Sequence, residues 1–174
     1  MSAYRSTRVL SVAVASLLAG CMADNPPVPA APPPPSPQAM LSAIRAAGAS
    51  EQSVIDVSPL RDPGVASLQD AAQAAERSGH FNEAADKLDQ ALRLSPESPD
   101  LLQDRAELAV RLQDFPVAEK LAQKSWSLGP KLGPLCARNW QTVVEIRLHA
   151  RDTAGAASAR QQLQACHKPG VNRF

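Results

Sequence analysis

The sequence predicts an all-α fold, and three observations carry that prediction. Aromatic residues make up only 3% of the 174 residues, so a core must be built mainly from Leu, Ala and Val. That composition favours closely packed small helices over a sheet, because strands prefer aromatic and β-branched side chains. The chain is also self-similar between residues 65 and 168. Gly79-His80-Phe81-Asn82-Glu83-Ala84 aligns with Gln113-Asp114-Phe115-Pro116-Val117-Ala118, and Ala91-Leu92-Arg93-Leu94-Ser95-Pro96 with Ser125-Trp126-Ser127-Leu128-Gly129-Pro130, each pair 34 residues apart. Finally, Pro96 and Pro130 stand where a helix has to stop, since Pro cannot continue the hydrogen-bond ladder.

From the N-terminus, Arg5 and Arg8 precede the apolar run Val9 to Leu18, and small residues follow. A positive start, a short apolar middle and a small-residue cleavage region are the layout of an export signal, here residues 1–20. The run is about half the roughly 20 apolar residues that a membrane-spanning helix needs. Leu18-Ala19-Gly20-Cys21 resembles the lipobox of bacterial lipoproteins. The resemblance implies that Cys21 carries a covalent lipid and that the chain is anchored in the cell envelope. Met22 follows the Cys in place of an Asp, which implies the outer membrane, facing the periplasm. Without Arg5 and Arg8 the chain has 16 basic against 17 acidic side chains, a net charge of −1. Such a balance offers no electrostatic footprint for nucleic acid.

Residues 21–38 combine Cys21 with a Pro-rich linker, and half of the 16 prolines fall between Pro26 and Pro37. Repeated Pro favours a solvated polyproline II spacer of about 3.1 Å per residue, enough to hold a domain roughly 40–50 Å from a membrane. Residues 39–64 form an N-terminal segment of uncertain structure. Ala39 to Ala47 reads as a short helix with Met40, Leu41 and Ile44 on one face, and Asp62-Pro63-Gly64 as a turn.

The self-similar stretch, residues 65–168, resembles the tetratricopeptide repeat, a helix–turn–helix unit of 34 residues. Leu68, Leu102 and Trp140 take the family's large apolar position, Ala72 and Ala106 the small one, and Ala84, Ala118 and Ala156 the second close contact. A third, weaker copy sets Asp152 opposite Asp114 after four additional residues, and both Asp are candidate N-caps. Val144, Thr153, and Ala75, Ala109 and Arg147 in place of the first-helix Tyr depart from the pattern. The resemblance implies about three stacked helical hairpins, with residues 169–174 as a tail.

With Cys21 lipidated, Cys136 and Cys166 remain. They fall at the start and end of the third hairpin, where antiparallel helix ends are neighbours, and an oxidising compartment favours a bridge between them. The competing reading is a metal or redox site with His167 and His149, for which the CxxC or spaced His pairs are missing.

No nucleophile elbow, phosphate loop or zinc-protease motif occurs, so no enzyme activity, metal or cofactor is expected beyond the lipid. The ligand-binding side implied by the repeat resemblance is the exposed side of each first helix. Gln69, Gln103 and Gln141 hold equivalent places there; one turn on lie Gln73, Glu107 and Glu145, and a further turn on Arg77, Arg111 and His149. Such a ladder suits a peptide backbone. Asp70 and Asp104 would repel a C-terminal carboxylate. The expected function is therefore a lipid-anchored adaptor that binds another envelope protein or peptide segment. The alternative is a structural lipoprotein that forms homodimers through its third repeat.

Overall fold

The structure, a computed structural model, describes residues 33–51 and 62–167. The expected signal, the lipidation site at Cys21 and most of the linker lie outside them. The described residues form seven α-helices: α1 (Pro37–Ser50), α2 (Pro63–Arg77), α3 (Phe81–Leu94), α4 (Pro99–Arg111), α5 (Phe115–Leu128), α6 (Pro134–His149) and α7 (Thr153–Ala165). α2–α3, α4–α5 and α6–α7 are antiparallel hairpins, and each hairpin stacks on the next.

Local chemistry explains the hairpin turns. Gly79, Gln113 and Arg151 all have positive φ (80°, 64° and 59°), and each turn closes with the same backbone bond. His80 N–H donates to the Ala75 carbonyl (2.9 Å), Asp114 N–H to Ala109 (2.8 Å) and Asp152 N–H to Arg147 (2.8 Å). These bonds satisfy helix-end carbonyls that would otherwise lack partners. Asp114 and Asp152 then cap the second helices, accepting from Val117 N–H (3.4 Å) and Gly155 N–H (2.8 Å). α3 and α5 stop at Leu94 and Leu128, two residues short of Pro96 and Pro130. Ala84, Ala118 and Ala156 are fully buried, because only a small side chain lets paired helices approach this closely.

The four additional residues of the third copy have a definite place. Three of them, Pro134 to Cys136, extend α6 at its N-terminus beyond the length of α4. The fourth lengthens the connection before it. Cys136 thus sits on an inserted turn, bonded to Cys166 after α7 with Cα atoms 5.6 Å apart. Ala47, Trp126, Trp140 and Leu163 pack around the bridge, and the two indoles meet edge to face.

The linker was expected to run to Gln38, but the helix begins at Pro37. Ser36 caps it by accepting from Ala39 N–H (3.2 Å), and Pro37 occupies a first-turn position where its missing donor costs nothing. α1 lies antiparallel along α6 and also touches α4. Its start meets the end of α6, with the His149 ring nitrogen 3.4 Å from the Pro35 carbonyl. Its end meets the start of α6, where a Cβ on Gly48 would fall 2.7 Å from the Arg138 side chain. Met40, Leu41 and Ile44 are buried, Met40 and Ile44 against Ala109, Val110, Ala118 and Ile146. Burial of three such side chains contributes about 5–9 kcal/mol before the cost of ordering the helix.

Two outcomes are expected. Gly79→Ala should destabilise the domain by about 1 kcal/mol and Gln113→Gly should stabilise it by up to about 1 kcal/mol, read as midpoints of urea unfolding. Replacing Cys136 and Cys166 together by Ser should lower unfolding free energy by about 3.6 kcal/mol, the chain-entropy value for a loop closed between residues 30 apart.

Candidate functional site

The stripe assigned to a ligand is largely covered or tied down. Gln103, Glu107, Gln69 and Glu145 are buried, at 0%, 1%, 5% and 7% exposure, and Gln141, Arg111 and His149 are half-buried. Only Gln73 and Arg77 are exposed as expected. Polar residues on the first-helix side do face a polypeptide, but it is the chain's own α1, which lies over α4 and α6. The Arg111 guanidinium lies over the Phe81 ring at 4.3 Å, and the His149 ring packs at a tilt against Phe115 with centroids 4.5 Å apart.

Beneath α1 the side chains form a circuit of polar contacts that leaves α2 at Gln69 and returns to it at Glu76. Gln69 of α2 donates to Asp104 of α4 (2.8 Å), which also accepts from Arg138 of α6 (2.7 Å). Arg138 reaches Glu107 of α4 at 2.7 Å, and Glu107 accepts from Arg45 of α1 at 2.9 Å. Arg45 returns the circuit to α2 at Glu76, at 2.6 Å. Inside it, Gln103 donates to Glu107 (3.1 Å) and Thr142 (3.0 Å). Burial works against the charge of both Arg45 and Arg138, yet the carboxylates outweigh it and raise both guanidinium pKa values. Arg45, Glu76, Thr142 and Arg138 escaped sequence reasoning. The one available signal was that Arg45 is the sole charged residue of α1.

α1 scarcely touches α2, and between them runs a cleft of about 640 Å³. Gln38, Leu41 and Arg45 form one wall, Gln73 and Arg77 the other, and Phe81 lines it as well. The opening thus joins two exposed polar side chains to an apolar patch, a composition suited to a peptide. Among the described residues no cluster of three metal-binding side chains occurs, and no helix is long and apolar enough to cross a membrane.

Glu145 of α6, outside the cleft and the circuit, gives the fold a pH signature. Burial, partly offset by the hydrogen bond from Gln141 and by Arg160, lifts its carboxyl above the ordinary 4.5. The folded state then holds this proton more tightly than the unfolded chain, so stability falls as pH rises from 4.5 through the folded value. Glu145→Gln keeps the acceptor for Gln141 and removes the charge. It should raise the melting temperature at pH 7 by about 1–3 °C, and the gain should vanish below pH 4.5.

No family model matches the chain, and no curated protein matches it. Among solved structures it is similar to the globular C-terminal domain of P. aeruginosa LpoP, with a TM-score of 0.57 and 31% sequence identity. The match covers 60% of this chain, about the length of the three hairpins, and 99% of that domain. With nearly a third of the residues shared over essentially all of that domain, the helical part of this chain belongs to the same domain family as the globular C-terminal part of LpoP.

Proposed function

We propose that this protein is an envelope lipoprotein, anchored through Cys21, that serves as an adaptor for a protein partner in envelope synthesis. The reading is carried by one observation. The first-helix side of the stacked hairpins already holds a helical segment, and beside that segment a cleft of about 640 Å³ stays open with Gln73 and Arg77 on its rim. Such a face holds polypeptide by side-chain complementarity and needs no chemistry of its own. Kinship with the LpoP domain supports an envelope setting, and the lipobox-like Leu18-Ala19-Gly20-Cys21 supports the anchor.

Of the charged side chains lining the cleft, Arg45, Arg138, Glu76, Asp104 and Glu107 pair with one another and Arg77 adds a cation at the rim, so a peptide with an acidic residue near one end fits best. In-cell crosslinking followed by identification of the captured protein tests this. Gln73→Ala with Arg77→Glu should reduce specific capture about tenfold, the effect of losing roughly 1.4 kcal/mol, while leaving helicity intact. Unchanged capture would reject this rim as the partner site. Palmitate labelling that persists in Cys21→Ser would reject the anchor.

A further inference from the structure

We infer that the seat of α1 is a helix-binding groove in which α1 is a resident occupant, and that a partner's amphipathic helix takes its place. The inference rests on the adaptor reading and specifies how that partner is held. The seat states its own requirements. Met40 and Ile44, four residues apart on one face, fill the apolar floor formed by Ala109, Val110 and Ile146. Arg45 supplies the cation that Glu107 and Glu76 accept. Gly48 admits the Arg138 stem, which a Cβ would strike at 2.7 Å. A competitor therefore needs two apolar residues at helical spacing, a basic residue beside the second, and a glycine three positions after the basic one.

Three features make α1 replaceable. It is a helix of 14 residues, too short to persist alone, so its helicity depends on the seat. Its apolar hold is three large side chains, Met40, Leu41 and Ile44, with small Ala47 and Gly48 on the rest of that face, and its polar hold is the single residue Arg45. Along its other flank the cleft beside α2 is open and gives an incoming chain a foothold. α1 of a second copy has no advantage over the resident one, which acts at the high effective concentration of a tethered segment. A partner helix that also fills the adjoining cleft gains contacts that α1 lacks.

Hydrogen exchange on the intact chain is the first test. Amides of α1 should exchange through an opening at least about tenfold more populated than the one that exposes α4 and α6. Protection of α1 equal to that of α4, lost only with the whole domain, would falsify the inference. The second test uses a fluorescent peptide of residues 36–51. It should bind an Ile44→Asp chain at least about tenfold more tightly than the unaltered chain, because the resident helix no longer competes. A peptide carrying Ile44→Asp and Arg45→Glu should not bind. Equal binding of both peptides, or no binding to a chain whose α1 exchange proves it released, overturns the idea. If Ile44→Asp does not fold, the exchange result on the unaltered chain decides. Neither readout involves Gln73 or Arg77, so failure here leaves the rim experiment standing, and failure there leaves these results intact.

Discussion

The buried carboxylate of Glu107 is the constraint on which the inner face of this domain depends. An ion removed from water costs several kcal/mol unless partners compensate it, and at 1% exposure Glu107 has little water to draw on. Arg45, Arg138 and Gln103 supply its contacts, and they come from α1, α6 and α4 itself. Satisfying this one group therefore fixes two other helices relative to α4. Buried ion pairs add little net stability compared with an apolar core, but removing one member is costly. The circuit acts mainly on arrangement: it favours one placement of α1 over neighbouring ones.

Apolar packing supplies most of the adhesion, and it is unevenly distributed. Val65, Ala72, Leu88, Leu101 and Leu108 knit the first hairpin to α4. Met40 and Ile44 join α1 to the second and third hairpins. Between these two clusters the α1–α2 boundary is bridged by the Arg45–Glu76 pair and is otherwise a cleft. The inserted turn at Pro134 to Cys136 gives α6 the extra length that meets the end of α1, and the bridge to Cys166 fixes that turn against the chain's last described residues.

What the sequence disclosed follows from the range of the interactions involved. Caps and helix ends were legible at Asp114, Asp152, Pro96 and Pro130, because each acts on backbone within a few residues. The small residues at Ala84, Ala118 and Ala156 were legible through their repetition. The seat of α1 was not, since Arg45 and Glu107 are 62 residues apart and no local pattern links them. Amphipathic reading assigns Gln and Glu on a helix to water, so Gln103 and Glu107 read as surface when they are interior. Only Gln73 and Arg77, next to the uncovered α2 wall, kept the exposure that reading gave them.

The polar circuit also makes the closed face electrically quiet. Arg45 and Arg138 stand against Glu76, Asp104 and Glu107 at hydrogen-bonding range, and fields from such compact arrangements fade within a Debye length of about 8–10 Å. Withdrawing α1 removes Arg45 and leaves those three acids with Arg138 as their cation within the circuit. The helix is thus a shutter for charge: a cationic segment would be drawn to open molecules and pass shut ones by.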